Sequence, residues 1–306
     1  MQLFYTDIFV LPLPTGHRFP MEKYSRLRES LLASGEFSAT DFHLPHAATD
    51  EELARAHDPA YIQQVCSGQL PEKAQKAIGF PWSAGMVERS RRSAGATICA
   101  CRAAFADGVS ANLAGGTHHA FRDRGEGFCV FNDAAIAARA MQAEGRARRV
   151  LIVDCDVHQG NGTARILSGD QSIFTFSIHG ARNYPFEKEQ SDLDIELPDG
   201  CADDAYLIRL DEGLNTAFDL ARPDLVIYLA GADPYCDDRL GRLSLSFAGL
   251  AERDHRVFSR CKALGIPLAI AMAGGYARQI DDTVAIHAST IRLAKAIWRE
   301  SKQTPT

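Results

Sequence analysis

Short apolar runs alternate with longer segments of mixed polarity along this chain. The runs at residues 150–153, 224–230 and 267–273 are almost continuously apolar, which is typical of strands buried on both faces of a parallel sheet. Helices are predicted between and after them, at 203–220 and 247–264. The repeated order of strand and then helix predicts the α/β class, with a doubly wound, mostly parallel sheet flanked by helices.

The rest of the chain continues this pattern. Further strands are predicted at residues 3–10, 111–114 and 172–179, and further helices at 22–34, 86–105, 133–143 and 281–299. Thr49 and Glu52 form a capping-box pattern at the start of one more short helix. The sequence shows no internal repeat, low-complexity segment or linker, so we expect residues 1–306 to form a single domain.

Composition excludes several classes of partner. The 306 residues are 46% hydrophobic and carry a formal net charge of -6 with no basic block, which argues against nucleic-acid binding but would not repel a basic peptide. No apolar run reaches membrane-spanning length, and the N-terminus has no basic leader. The eight cysteines include no Cys-x-x-Cys pair, so we expect reduced thiols and a cytoplasmic location.

Two carboxylates and an imidazole follow two of the predicted strands. Asp156 and His158 come directly after the strand at 150–153, and Asp233 follows the strand at 224–230. The carboxyl ends of parallel strands meet at one sheet edge, where ligands bind. An isolated Asp-x-His is often only a solvated loop, but this three-residue set suits a catalytic zinc ion or another first-row divalent metal.

Two further strand ends carry polar residues behind glycines. His118 and His119 follow the strand at 111–114, and Tyr276 follows the strand at 267–273. We expect these side chains at the same sheet edge, because glycines let the backbone turn tightly there. Phe128, between glycine and cysteine, is either a core residue or the wall of an apolar passage.

Six separated motifs together resemble the histone deacetylase family of the arginase/deacetylase superfamily, in its zinc-dependent, bacterial-type form. In chain order they read GGTHHA, GFCVFND, VDCDVHQGNG, SIHG, AGADP and AGGY. The resemblance covers nearly the whole chain and implies a single catalytic domain with one Zn²⁺ held by Asp156, His158 and Asp233. It further implies tandem histidines at His118 and His119, a catalytic tyrosine at Tyr276, and a structural K⁺ ion. The implied K⁺ ligands are Asp154, Asp156, His158, Ser177 and Ile178.

The resemblance also assigns supporting roles. Asp154 orients His118, and Asn161 lies behind His119 where many members carry aspartate. Asparagine there looks like the class IV branch, and an amide adds no negative charge, so His119 should be less basic than a carboxylate-backed histidine. The implied substrate-binding residues are Gly127, Phe128, Gly274 and Gly275, with Tyr184 as the nearest candidate for the opposite wall of the passage.

Arginase-like members of the superfamily hold two metal ions, and two residues of this chain argue against that alternative. The second ion needs carboxylates at positions 160 and 231, which are Gly160 and Gly231 here. A single ion is therefore expected, with Fe²⁺ as an alternative occupant to Zn²⁺.

The resemblance implies hydrolysis of acyl groups, acetyl or longer, from the Nε amine of lysine in proteins or peptides. One alternative is an amidohydrolase of acetylpolyamines or other small acylated amines, which would need acids at the cavity rim, where Asp237 and Asp238 are candidates. The other is a non-catalytic acyl-lysine reader, against which Tyr276 argues, since an oxyanion donor is needed only for turnover. The sequence predicts neither acyl-chain length nor oligomeric state.

Overall fold

The computed structural model describes residues 1–300, which form one eight-stranded sheet with helices on both faces. All strand pairs are parallel, in the order β2-β1-β3-β8-β7-β4-β5-β6. The strands are β1 Leu3–Phe4, β2 Phe42–His43, β3 Val109–Asn112, β4 Val150–Asp154, β5 Ile173–Gly180, β6 Leu193–Leu197, β7 Leu225–Leu229 and β8 Leu268–Ala271. The α/β doubly wound fold predicted from the sequence is confirmed.

The described residues contain ten α-helices and one short 3-10 helix at Ala39–Asp41. The α-helices are α1 Lys23–Ala33, α2 Asp50–Ala54, α3 Pro59–Ser67, α4 Glu72–Ile78, α5 Ala84–Asp107, α6 Asp133–Ala143, α7 Asn161–Leu167, α8 Asp203–Ala221, α9 Phe247–Leu264 and α10 Ile280–Glu300. The predicted capping box forms at the start of α2: Glu52 N–H donates to Thr49 Oγ1 at 3.1 Å, and Thr49 N–H donates to Glu52 Oε2 at 2.9 Å.

Two hydrophobic cores cover the two faces of the sheet. On β4, Leu151 and Val153 belong to the core that includes α8, α9 and α10, whereas Val150 and Ile152 belong to the core that includes α5 and α6. Successive residues of a strand point to opposite faces. The central strands are therefore buried on both faces, which explains why their sequences are continuously apolar.

The strand order brings four motif-bearing loops to one edge. The strands β3, β8, β7 and β4 are neighbours in the sheet, and all run in the same direction. The segments that follow them carry the paired histidines, the tyrosine and the three candidate metal ligands. Topology alone thus gathers residues that are more than one hundred positions apart in the chain.

The observed elements differ from the sequence prediction mainly near the N-terminus. The predicted strand at 3–10 contains only Leu3–Phe4, because the chain turns at Thr6, whose carbonyl accepts a hydrogen bond from Phe9 N–H at 3.0 Å. Strand β3 ends at Asn112, two residues before the predicted end, where Asn112 Oδ1 accepts a hydrogen bond from Ala114 N–H at 2.9 Å. The sequence analysis missed β2, β6, α3 and α4.

Gly95 of α5 provides a test of how closely this helix packs. A Cβ atom there would lie 2.0 Å from the carbonyl oxygen of His46, whereas at exposed Gly85 of the same helix the nearest atom is 3.7 Å away. Gly95→Ala should destabilise the protein by about 1–3 kcal/mol, because a backbone carbonyl has to move. Gly85→Ala should be neutral or stabilising. Urea unfolding of both variants checks this, and equal stability would contradict the packing.

Candidate functional site

Asp156, His158 and Asp233 form a buried three-ligand cluster. Asp156 and His158 follow β4, and Asp233 follows the neighbouring β7. Their ligand atoms all lie within 4.8 Å of one another, with His158 Nδ1 at 3.0 Å from Asp156 Oδ1 and 3.3 Å from Asp233 Oδ2. Two carboxylates and one imidazole at this spacing match the protein ligands of a catalytic zinc site with an open position.

Backbone amides fix both carboxylates. Val157 N–H donates to Asp233 Oδ1 at 2.9 Å, Gly274 N–H donates to Asp156 Oδ2 at 2.8 Å, and His158 N–H donates to Asp156 Oδ1 at 2.9 Å. Asp233 Oδ2 is buried and accepts no hydrogen bond from the described residues. A buried carboxylate oxygen without a donor is costly unless a cation binds it, so the residues present fit a metal ion.

The ionisation of the cluster reflects the close approach of its two carboxylates. Burial and the adjacent Asp156 carboxylate raise the pKa of Asp233 to about 7. Burial disfavours the charged form of His158, but the Asp156 and Asp233 carboxylates outweigh it and raise the pKa of His158 to about 10. A proton on His158 thus partly compensates the two acids, and a divalent ion would take its place by displacing it.

The surroundings of Gly160 and Gly231 leave no room for a second metal ion's carboxylates. A Cβ atom at Gly160 would lie 2.5 Å from Asp154 Oδ2, and one at Gly231 would lie 2.6 Å from Asp156 Oδ2. The space that an additional side chain would need is therefore filled by the existing carboxylates. This packing favours the single-ion interpretation.

The two histidines have different partners. His118 Nδ1 lies 2.6 Å from Asp154 Oδ2, His119 Nδ1 lies 2.7 Å from Asn161 Oδ1, and the two ring centroids are 4.2 Å apart. Burial disfavours a charged His118, but the Asp154 and Asp156 carboxylates raise its pKa to about 9. Burial and the neighbouring His118 lower the pKa of His119 well below 6.5, although the hydrogen bond with Asn161 favours the charged form.

Glu126 fixes the orientation of Asn161, a role that the sequence analysis missed. Asn161 Nδ2 donates to Glu126 Oε1 at 2.9 Å, so Asn161 Oδ1 faces His119 and requires a proton on His119 Nδ1. Nε2 of neutral His119 is then the unprotonated nitrogen. In the sequence Glu126 stands immediately before the Gly-Phe motif. No pattern in the sequence links Glu126 to Asn161.

Asp133 anchors the loop that carries both histidines. Its carboxylate accepts hydrogen bonds from Gly116 N–H at 3.0 Å and Thr117 N–H at 2.7 Å. Asp133 is the first residue of α6 and is fully buried. The sequence analysis assigned it only to a helix start, since the loop it holds lies sixteen or more positions earlier.

Asp238 and Arg239 hold Tyr276 through its backbone. Tyr276 N–H donates to Asp238 Oδ2 at 2.6 Å, and the Tyr276 carbonyl accepts from Arg239 Nε at 3.0 Å. Asp238 is buried and also accepts from two other backbone N–H groups, while Asp237 pairs with Arg278 at 2.9 Å. Neither Asp237 nor Asp238 lines the cavity above the cluster. These two residues therefore do not provide the acids at the cavity rim that the polyamine alternative needs.

A cavity of about 680 Å³ opens above the cluster. Its lining includes nine predicted site residues, which are Asp156, His158, Asp233, His118, His119, Tyr276, Gly127, Phe128 and Gly274. Tyr184 also lines it, with its ring centroid 4.9 Å from that of His119. Phe128 lies both at the wall and against Phe80, so the two readings of Phe128 are compatible. Gly275 does not line the cavity, and its carbonyl lies 3.5 Å from Lys23 Nζ.

The residues predicted to hold a monovalent cation lie on two paired strands, β4 and β5, and in the segment that follows β4. Asp154 of β4 is in register with Ser177 of β5, and Ser177 Oγ is 2.9 Å from His179 Nδ1. Ile178, the next residue of β5, is fully buried. The K⁺ ion remains a prediction from the sequence resemblance.

Two general features concern the helices and the cysteines. None of the helices within residues 1–300 has the length and apolar character needed to cross a bilayer. All eight cysteines are free thiols, and five of them are buried.

Gly274 lies against both carboxylates of the candidate metal cluster and provides a test of that cluster. A Cβ atom at this position would lie 2.0 Å from Asp233 Oδ2 and 2.6 Å from Asp156 Oδ2. Gly274→Ala should weaken Zn²⁺ binding at least about tenfold, because the two carboxylates have to move apart. Isothermal titration of chelator-treated protein checks this, with Gly85→Ala as control. Unchanged affinity in a folded Gly274→Ala variant would show that these carboxylates do not bind the ion.

Comparison with known proteins agrees with this geometry. The family model for the histone deacetylase domain matches residues 17–291. An uncharacterized protein of Picosynechococcus sp. is 44% identical over 96% of this chain and 98% of its own length, and histone deacetylase 2 of Arabidopsis thaliana is 32% identical over 91% of this chain and 75% of its own.

A solved structure shares the fold. The crystal structure of a histone deacetylase homologue from Aquifex aeolicus superimposes with a TM-score of 0.82 at 24% identity, covering 96% of this chain and 84% of that chain. The matched model spans most of the chain, and the Arabidopsis relative exceeds 30% identity over most of it. The chain therefore belongs to the histone deacetylase family and is a hydrolase of that family, a deacetylase or amidohydrolase.

Proposed function

We propose that this protein removes acyl groups from the Nε amine of lysine in proteins or peptides. The observation that carries the proposal is one cavity lined by a single-cation cluster, an unprotonated imidazole nitrogen and a buried phenol. Those are the groups that amide hydrolysis needs: a place for an electrophilic metal, a base and an oxyanion donor. Among the relatives, a protein of Pseudomonas aeruginosa named histone deacetylase-like amidohydrolase is 29% identical.

The family generally uses a zinc ion, and Asp156, His158 and Asp233 are the residues that would hold it. A bound zinc or iron(II) ion polarises a substrate carbonyl and lowers the pKa of water. The chain's own contribution is to present three ligands in fixed positions and to exclude a second ion through Gly160 and Gly231. We propose one metal ion per chain, together with a structural K⁺ near Asp154 and Ser177.

His119 is the candidate base. It is neutral at physiological pH and its proton is on Nδ1, so Nε2 can accept a proton from the attacking water and later deliver it to the leaving amine. His118, held by Asp154, adds positive charge beside it, which stabilises negative charge developing on the substrate. Tyr276 would donate a hydrogen bond from its hydroxyl to the oxyanion, because burial raises the pKa of Tyr276 and keeps the phenol protonated.

The passage to this centre fits an aliphatic chain. Phe128 and Tyr184 line the cavity together with Gly127, and aromatic side chains offer the apolar surface against which the four methylenes of a lysine stem can pack. Gly116 and Tyr24 also line the cavity. We assign the protein to the class IV branch on the basis of Asn161 and expect it in the cytoplasm.

Two alternatives receive less support. A polyamine amidohydrolase would need acids at the rim, whereas Asp238 is buried behind Tyr276 and Asp237 pairs with Arg278. A non-catalytic reader would not need an oxyanion donor such as the Tyr276 phenol, because no negative charge develops without turnover. Rates on acetylspermidine, an acetyl-lysine peptide and a long-chain acyl-lysine peptide would separate these classes and measure acyl-length preference.

Tyr276 provides the direct test of hydrolysis. The wild-type protein loaded with Zn²⁺ should deacylate an acetyl-lysine peptide, and chelation should abolish this activity. Tyr276→Phe should lower kcat about a hundredfold or more while Zn²⁺ stays bound, because an oxyanion donor is lost. Peptide binding and metal content without any turnover by the wild type would instead identify a reader.

Asn161 provides a pH test. A carboxylate next to His119 Nδ1 favours the imidazolium, so Asn161→Asp should raise the pKa of His119 and move the acidic limb of kcat/KM to higher pH by about one unit or more. The variant is best made with Glu126→Gln, so that only one carboxylate remains there. Glu126→Gln alone is the control and should not move the limb upward. A limb that stays in place in the double variant would remove His119 from the base role.

A further inference from the structure

The cavity mouth is basic although the whole chain is acidic. The formal net charge is -6, yet six basic residues line the cavity: Arg18, Lys23, Lys76, Arg182, Arg239 and Arg242. Within residues 1–300, the only acids in that lining are the metal ligands Asp156 and Asp233. All the basic residues except buried Lys23 are exposed, so they surround the entrance rather than the reaction centre.

Three of the five exposed basic residues have no carboxylate partner within residues 1–300. Arg242 pairs with Asp199 at 3.1 Å and Lys76 pairs with Glu72 at 2.5 Å. Arg239 donates from Nε to the Tyr276 carbonyl, which carries no net charge. Arg18 and Arg182 form neither a hydrogen bond nor an ion pair from their side chains to any described residue. The mouth therefore presents guanidinium groups whose donors are available to a ligand.

Nearby acids do not cancel this charge. Asp237 is paired with Arg278. Glu126, which accepts a hydrogen bond from Asn161 and lies beside Tyr184, is one negative charge against five exposed basic residues of the lining. Glu187 lies on the same loop as Arg182 but is not part of the lining. A substrate approaching the passage thus meets a positive local field, and that field rather than the net charge governs association at the site.

We infer that the preferred substrate carries a carboxylate just outside the acylated amine, in the form of an acyl-lysine flanked by acidic residues or of a free acyl-amino acid. Arginine pairs well with carboxylates, and the guanidinium groups of Arg18 and Arg182, on two different loops of the cavity lining, are available to a group that flanks the acyl-lysine. The same charges repel polyamines and basic histone-tail peptides. This inference rests on the proposed deacylase function and narrows its substrate class.

Matched peptides test this inference on the zinc-loaded protein. Three acetyl-lysine peptides should differ only in flanking aspartate, serine or lysine residues. At low ionic strength kcat/KM should follow the order aspartate, serine, lysine, with about a tenfold span that shrinks in high salt. Free Nε-acetyl-lysine compared with its carboxamide provides the small-molecule arm, in which the free acid should react faster if that is the source of the carboxylate.

Variants at the mouth make the test specific. Arg18→Glu with Arg182→Glu should reverse the peptide order, and Arg18→Gln with Arg182→Gln should flatten it, with each kcat/KM expressed relative to that of the serine peptide in the same variant. The control is Arg148→Glu with Arg149→Glu, the same total change of charge at two exposed residues just before β4, at the opposite edge of the sheet.

The possible results distinguish the proposed charge preference from the proposed deacylase function. Turnover of all three peptides at equal rates, with no difference between the free acid and its carboxamide, would overturn the charge preference and leave the deacylase proposal standing. An unchanged peptide order in the Arg18 and Arg182 variants would overturn the role of these two residues. No turnover of any acylated amine would overturn both proposals.

Discussion

The carboxylates of Asp156 and Asp233 are buried together with a single imidazole between them, and the rest of the site is arranged around their charge. Two acids this close in a low-dielectric environment repel each other strongly, and their desolvation is expensive. Backbone N–H groups of Val157, His158 and Gly274 offset part of that cost. Asp233 Oδ2 accepts no hydrogen bond from the described residues and lies 3.3 Å from His158 Nδ1, so a proton on His158, or a bound cation in its place, stabilises the arrangement.

The sheet explains how such a cluster can be rigid. Each ligand follows a central strand that is buried on both faces, so the strands cannot shift without disturbing both hydrophobic cores. The loops between strand and ligand are held by further polar contacts, such as those of Asp133 with the histidine loop and of Asp238 with Tyr276. The reactive groups thus sit on short loops whose backbone is fixed by buried carboxylates, which is the kind of preorganisation that catalysis requires.

The sequence predicted the central elements well because their signals are local. The continuous apolar runs identify β4, β7 and β8, and α6 and α9 begin and end where their composition predicts. The short edge strands β2 and β6 escaped prediction, since two to five residues with partial burial carry little periodic signal. Strand β1 was predicted too long because an apolar segment continued past the turn at Thr6.

Long-range partners could not be predicted in the same way. Asn161 was recognised as the residue behind His119, but the link from Asn161 to Glu126 spans thirty-five positions and has no pattern in the sequence. Asp238 was considered as a rim acid and instead holds the Tyr276 backbone. The basic mouth is assembled from separate loops of an acidic chain, so neither net charge nor any single segment indicates it.

The number of metal ions bound by Asp156, His158 and Asp233 is the most direct test of this arrangement. Chelator-stripped protein should take up one Zn²⁺ per chain on equilibrium dialysis, measured by mass spectrometry of the metal, and Asp233→Asn should lose it. No uptake by the folded wild-type chain would contradict the cation role of the three buried ligands. Uptake of two tightly bound ions would contradict the single-ion geometry at Gly160 and Gly231.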